Sequence, residues 1–365
     1  MSKKMKIKSV AVLGLGKVGT LAAVLLHETG LDVTGFDLHA PQEELPFRVE
    51  QKSAATESEV EALCGGFDAI LSCLPYHMNV GVATAAHRLG LHYFDLTEDV
   101  PTTKAILEMS GTSKGVMAPQ CGLAPGLIGI IGAHLAEQFE QVRSIKLRVG
   151  ALPQNPTGLL GYAFNWSPEG VVNEYLNDCE VIEEGQHKWV SPMEWVEKIY
   201  VDGHRLEAFT TSGGLGTMCE TYLGHIENLD YKSLRYPGHV ELMNFFFHEL
   251  LMREKRDLAG EILTHAKPPV DDDVVHIHVS AEGMIDGSLQ RKEYVRSYYP
   301  IEISGRVWRA ISWTTSASVC AVIEMVNRGD LPASGFLKQE HIPLDPFLRT
   351  RNGRLYQAAQ GGRAG

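Results

Sequence analysis

From Val10 the chain reads VAVLGLG, a short apolar run, and then KVGTLAAVLLHETG, whose apolar positions recur at helical spacing and stop at Gly30. The pattern predicts strand, tight turn and helix. DVTGFDL follows as a second short strand, and a variable stretch through Glu59 leads to a short helix and the strand DAILSCLP. Asn79 to Gly90 reads as a helix, HYFDL as a strand, Pro101 to Ser110 as a helix and VMAPQ as a further strand. Strands alternating with helices at this spacing predict right-handed βαβ units and a doubly wound parallel sheet, an α/β fold.

The period changes after Gly122. LAPGLIGIIGAHLAEQF reads as a buried helix, and VRSIKLRVGAL alternates as a strand with one solvated face does. The chain to about Ser304 is richer in loops and aromatics and includes the hairpin VVHIHVSAEGMIDGSLQRKEYVRSYYPIEI, turning at Asp286-Gly287. WTTSASVCAVIEMVNRG, Trp313 to Gly329, predicts a helix that stops at its glycine, and the final dozen residues read as a frayed tail. The predicted organisation is a dinucleotide-type domain over 1–130, an inserted α+β domain over 131–308, a return to the first domain over 309–350, and a loose tail over 351–365.

The 365 residues carry 33 Lys and Arg against 45 Asp and Glu, a net charge of −12, which argues against nucleic acid or an anionic membrane as the main partner. No apolar run reaches the roughly 18 residues of a membrane span. The six cysteines are scattered with no CxxC, and a reducing, cytoplasmic setting is expected. His276 and His278 alternate on one strand face without a third ligand, so no metal site is expected.

Gly14-Leu15-Gly16-Lys17-Val18-Gly19 closes a predicted strand and opens a predicted helix. The first glycine allows the turn, the second lets backbone N–H groups approach a pyrophosphate, and the third permits close helix packing. Asp37 ends the second strand, where a carboxylate accepts from ribose hydroxyls and repels a 2′-phosphate; NAD is expected over NADP, a preference that neighbouring His39 softens. Ligands of such folds lie beyond the carboxyl ends of the strands. That position nominates Cys73, Leu74 and Pro75, then Leu96 and Thr97, then Gly122, Leu123, Ala124 and Pro125 as cofactor-binding residues.

Asp95 and Glu98 have two readings, as acid–base groups holding a substrate amine and as caps of the following helix. His77 reads as a proton carrier or as an ordinary residue of a helix N-terminus. In the second domain, Arg235 of SLRYPGH is a bidentate carboxylate partner or a surface base, with His239 nearby. Thr211 and Ser212, beside the flexible glycines of LEAFTTSGGLGTM, either contact a carboxylate or form a plain hairpin loop. Asn165 in NWSPEG either binds substrate or belongs to a loop whose Ser-Pro-Glu caps a helix.

GLGKVG, DLTED, CGLAPG, NWSPEGVVNEY, LEAFTTSGG and SLRYPGH, in that order, resemble the saccharopine reductase and lysine 6-dehydrogenase family over residues up to about 330. The resemblance implies a Rossmann domain carrying an inserted domain whose sheet contributes to a homodimer or higher oligomer. Saccharopine reductases tend to carry an acidic residue in a GLDPG loop; Ala124 in GLAPG is similar to the lysine 6-dehydrogenase branch. The implied activity is an NAD-dependent oxidation of lysine to its ε-semialdehyde with release of ammonia. A reductive condensing enzyme of the saccharopine or carboxypolyamine type is the alternative on the same scaffold, and a non-catalytic dinucleotide-binding regulator is the alternative of another class.

Overall fold

The computed structural model describes residues 6–39, 41 and 44–358. The chain divides into two compact units, one of residues up to Leu127 together with those from Ser312 onward, the other Ile128–Ile311.

The first unit is a parallel sheet. It is built from β1 (Ser9–Leu13), α1 (Lys17–Glu28), β2 (Asp32–Asp37), β3 (Arg48–Gln51), α2 (Glu57–Cys64), β4 (Ala69–Ser72), α3 (Tyr76–Leu89), β5 (His92–Asp95), α4 (Val100–Ser110) and β6 (Val116–Ala118). A short return strand, Gly335–Phe336, pairs in parallel with β6, and the strand order is return strand, β6, β5, β4, β1, β2, β3. The order reverses direction at β1, the switch point where a doubly wound fold receives its ligand. β1 and β4 are apolar and buried throughout or nearly so, as strands covered on both faces must be. β3 lies inside the stretch whose composition predicts no element; it is a four-residue edge strand with no fully buried residue, which leaves no hydrophobic signature.

Local chemistry explains the helix starts. Thr56 and Glu59 form a reciprocal capping box at α2, and Asp99 accepts from the Thr102 N–H at the head of α4 with proline in its first turn. The predicted helix at Trp313 begins earlier, because buried Asp273 of the second unit accepts from the N–H groups of Ala310 and Ile311 at 2.6 and 2.9 Å. The predicted tail also needs correction. Residues Arg354–Ala358 form a helical turn with Tyr356 buried, and Glu324 accepts from the backbone of Arg351 and Asn352; only 359–365 of that tail lie outside the described residues.

The second unit is a mixed sheet. Helix α5 (Leu127–Ala136) is followed by β7 (Gln141–Pro153), α6 (Pro168–Leu176), β8 (Cys179–Glu183), β9 (Gln186–Val190), β10 (Glu197–Val201), β11 (His204–Thr210), α7 (Met218–Tyr222), β12 (Asn228–Arg235), α8 (His239–Asn244), α9 (Arg256–Ala266), β13 (Asp273–Ile285) and β14 (Ser288–Tyr298). The main order is β10, β11, β12, β7, β13, β14. β13 and β14 are the predicted hairpin, and Asp286 and Gly287 both have positive φ, +50° and +71°, as its two-residue turn requires. The hairpin stops at Tyr298, short of the predicted run to Ile303. β7 alternates in exposure only over its first half; its second half is buried on both faces. The segment LAPG before α5 is not helical, since Gly126 has φ +134° and an added Cβ would lie 2.0 Å from the Gly122 carbonyl oxygen.

Among the described residues no helix is long and apolar enough to cross a membrane, and no group of three His, Cys, Asp or Glu is arranged to hold a metal ion.

Candidate dinucleotide and substrate sites

The glycine motif sits between β1 and α1. Gly14 has φ +89°, and a Cβ there would stand 2.9 Å from the Cys73 carbonyl oxygen; a Cβ at Gly19 would stand 1.9 Å from the Gly14 carbonyl oxygen. Those two glycines are demanded by the packing of the fold itself. Gly16 is different. It has ordinary backbone angles and nothing within 4 Å of an added Cβ, so the chain does not need it; it leaves open space before the α1 N-terminus, which no side chain caps. Open space at an uncapped helix N-terminus fits an anionic phosphate group. Lys17 is exposed and Val18 half-buried at the start of α1.

Asp37 ends β2. Its Oδ2 accepts from the Leu15 N–H at 2.6 Å and its Oδ1 from the His39 N–H at 2.9 Å, so the carboxylate is tied to the glycine loop while each oxygen keeps a lone pair for a ribose hydroxyl. The exposed His39 ring lies 4.0 Å from Oδ1. Of the strand-end residues nominated from sequence, Cys73, Leu74, Pro75, Leu96 and Ala124 are at least partly exposed, whereas Thr97, Gly122, Leu123 and Pro125 are buried. Those buried four shape the loops from beneath.

Asp95 is corrected by the structure. Its side chain is fully buried, taking Tyr93 Oη–H on Oδ2 at 2.6 Å and the N–H groups of Thr97 and Gln120 on Oδ1 at 2.9 and 3.0 Å. A carboxylate closed off from solvent and holding three donors is not a base for substrate. Nor does it cap the next helix; Asp99 does. Glu98 is half-buried in the same loop, and His77 is exposed on the first turn of α3, its ring edge against Tyr76. The sequence grouped these three, and the structure gives each a different setting.

In the second unit the decisive residue is Arg235, the last of β12 and only 3% exposed. Its Nε–H donates to Tyr175 Oη at 2.7 Å and Nη1 to its neighbour's carbonyl, Leu234 O, at 2.8 Å; the guanidinium carbon stands 4.6 Å from the centre of the Tyr162 ring. His239 extends this chain of bonds. Its Nδ1 lies 3.0 Å from the Leu160 carbonyl, which only accepts, so Nδ1 carries the proton and bare Nε2 accepts from Tyr175 Oη–H at 3.0 Å. Burial and the nearby Arg235 charge push the His239 pKa down to about 3, so the imidazole is neutral at every ordinary pH. Phe209 stacks on that ring, and Tyr162 and Tyr175 meet it edge on.

The remaining nominees divide. Thr211 is buried with its hydroxyl 2.8 Å from Ser233 Oγ, beneath β12, and Ser212 spends its hydroxyl on the Asp178 carbonyl at 2.9 Å. Asn165 is corrected: it is buried, its Oδ1 accepts from the Val270 N–H, and it hydrogen-bonds Asp273, so it fastens the chain before β13 instead of meeting substrate. Ser167 caps α6, the helix that carries Tyr175. Sequence reasoning missed Tyr162, Tyr175 and Glu207. Glu207 faces Arg235 across the β11–β12 ladder and accepts from the N–H groups of Gly238 and Val240, fixing the turn that presents His239. Its signal was present, a lone carboxylate inside the apolar strand LEAF. His276 bonds Ser297 and His278 faces Glu293, each apart from this pocket.

Comparison with known proteins follows the division into sheets. The family model described as "Saccharopine dehydrogenase NADP binding domain" matches residues 10–118, and "Saccharopine dehydrogenase C-terminal domain" matches residues 122–354. The chain belongs to the saccharopine dehydrogenase family. The first of the two matched domains is the one described as NADP binding, and it contains the glycine motif and Asp37. Among curated relatives, the mitochondrial alpha-aminoadipic semialdehyde synthases of Mus musculus and Rattus norvegicus are 25% and 23% identical over 264 residues, 66% of this chain. The match spans 28% of the length of those relatives. Among solved structures, a saccharopine dehydrogenase (L-Glu forming) from Saccharomyces cerevisiae has a TM-score of 0.75 at 16% identity, covering 94% of this chain and 96% of that one. An engineered D-amino acid dehydrogenase bound to NADP+ has a TM-score of 0.50 at 13% identity, over 96% of this chain and 98% of that one. These likenesses concern the fold.

Proposed function

We propose that the protein is an NAD-dependent dehydrogenase of a free amino acid, with lysine oxidised at its ε-carbon. The observation that carries this reading is Arg235. Among the described residues, two of its five N–H donors are spent inside the chain, both on neutral oxygens, with the Tyr162 and Tyr175 rings against the guanidinium and the buried Glu174 carboxylate near enough to favour its charge without a hydrogen bond to it. A buried cation with donors to spare is matched by a carboxylate, for which the guanidinium fork supplies two parallel hydrogen bonds. Ala124, half-buried in the loop after β6, stands in GLAPG where saccharopine reductases tend to carry the acidic residue of GLDPG, and that resemblance supports a free amino acid over a glutamyl adduct.

A bound nicotinamide dinucleotide supplies the hydride acceptor. The backbone at the head of α1, opened by Gly16 and shaped by Gly14 and Gly19, would hold its pyrophosphate, and Asp37 would take the ribose hydroxyls and disfavour a 2′-phosphate. The substrate amine must shed a proton before hydride departs, and of the three residues nominated for that task Glu98 and His77 have solvent access. The overall conversion balances: R–CH2–NH3+, NAD+ and water give R–CHO, NADH, NH4+ and H+.

The test is absorbance at 340 nm with purified protein, NAD+ or NADP+, and a panel led by lysine, ornithine and saccharopine. NADH formation with lysine and an equal yield of ammonia supports the reading. Turnover of saccharopine without ammonia would transfer the chain to the condensing class. NADH binding with no turnover of any amino acid would leave a dinucleotide-binding regulator.

A further inference from the structure

The carboxyl ends of β5 and β6 in the first unit lead into two loops, Leu96–Asp99 and Pro119–Gly126, and one side chain joins them. Asp95 Oδ1 accepts from the backbone N–H of Thr97 in the first loop and of Gln120 in the second, at 2.9 and 3.0 Å, and the Asp95 carbonyl accepts from the Cys121 N–H at 2.9 Å. Gln120 holds φ at +65°, in the left-handed region that a side chain other than glycine avoids without an outside restraint. The charged oxygen supplies that restraint.

We propose that Asp95 is a positioning residue for the dinucleotide: by tying the loops after β5 and β6 to one charged oxygen, it fixes the backbone that the nicotinamide end of the cofactor meets. The inference rests on the cofactor reading above. The charge acts alone within its cluster. The titratable groups facing it are Tyr93 on β5, Cys73 after β4 and Cys121 after β6, and burial keeps all three protonated, the Cys73 thiol pushed up to about 12. Burial also raises Asp95 itself to about 6, against the pull of its three donors. Protonation exchanges charge-assisted hydrogen bonds for neutral ones, about half as strong, so the hold on both loops relaxes as pH falls through about 6.

The experiment measures the dissociation constant for NADH by fluorescence on the whole chain from pH 5 to 8, for wild type, Asp95→Asn and Tyr93→Phe. Wild type is expected to bind several-fold more weakly at the acid end. Asp95→Asn is expected to bind about fivefold more weakly at pH 8 and to lose the acid step. Tyr93→Phe removes a donor that favours the carboxylate, so the midpoint moves to higher pH. A merely structural role lowers thermal stability without moving that midpoint. Wild-type affinity in Asp95→Asn, or an unmoved midpoint in Tyr93→Phe, overturns the proposal, and the second variant keeps the test decisive if the first does not fold. Failure of folded wild type to bind any nicotinamide dinucleotide at pH 8 removes the cofactor reading and this inference with it.

Discussion

Asp95 and Arg235 are opposite charges in matching circumstances: each is buried at the carboxyl end of its strand, and each touches a tyrosine hydroxyl. They differ in how far the chain satisfies them. Asp95 accepts three hydrogen bonds from its own surroundings, which offset part of the hydration a carboxylate loses on burial. Arg235 gives two, to neutral oxygens, and its guanidinium still has donors to offer. A buried charge that the fold completes serves the fold or its loops, whereas one that the fold leaves incomplete serves a ligand. Sequence offered both as candidates for substrate, and hydrogen-bond accounting separates them.

The largest expected effect tests the incomplete member. Arg235→Leu keeps bulk but removes every donor, and the amino-acid KM should rise at least ~100-fold while the dinucleotide KM holds, because a lost charge-assisted bidentate pair costs on the order of 3 kcal/mol. Steady-state kinetics with each substrate varied in turn checks this. Equal rises in both constants would place Arg235 among groups that support the whole fold, and the contrast with Asp95 would collapse.

Next in size is Asp37→Ala, which removes the acceptor held against the glycine loop by Leu15 and His39. NAD affinity should fall about tenfold and the NAD-over-NADP ratio should shrink toward one, the loss of one or two hydrogen bonds together with relief of repulsion at a 2′-phosphate. Unchanged affinity for both dinucleotides discards the ribose assignment.

A smaller effect is expected one step from the arginine. Tyr175→Phe deletes the hydroxyl that accepts from Arg235 Nε–H and donates to His239 Nε2. The guanidinium then loses its orientation but not its charge, so kcat/KM for the amino acid should drop about fivefold, less than for Arg235→Leu and with the dinucleotide KM untouched. A loss as large as that of Arg235→Leu would make Tyr175 a substrate contact in its own right.

Legibility in sequence followed the range of the interaction. The parallel sheet, the glycine turn, Asp37 and the Asp286-Gly287 hairpin are local devices, each written in a few consecutive residues by periodicity or by required φ. The Arg235 pocket is written across the chain: Tyr162 and Tyr175 come some 60 to 75 residues before Arg235, and Glu207 reaches it through a cross-strand pair. No window of sequence holds those partners together. Asp95 failed as a base for the same reason, since the donors that satisfy it include Gln120, which lies 25 residues onward. Burial of a polar residue can be guessed from its apolar neighbours; whether it is satisfied there cannot.

The finest test of the contrast reads the pH dependence of stability, where the two clusters carry opposite signs. His239, in the Arg235 chain, has its pKa lowered from 6.5 to about 3, so between those values the unfolded chain binds the extra proton and acidification destabilises the fold. From pH 7 to pH 5 the loss amounts to about 2 kcal/mol at 1.36 kcal/mol per unit. Asp95 has its pKa raised from 3.8 to about 6, so over the same interval the folded chain binds the proton and gains about 1 kcal/mol. His239→Asn should therefore flatten the fall in melting temperature between pH 7 and pH 5, and Asp95→Asn should steepen it. Both variants are compared by that slope and not by their absolute stability, which each substitution lowers through lost hydrogen bonds. Slopes that change in the same direction would mean that the two clusters do not differ in protonation as their surroundings dictate, and the division between a completed charge and an open one would then rest on Arg235 alone.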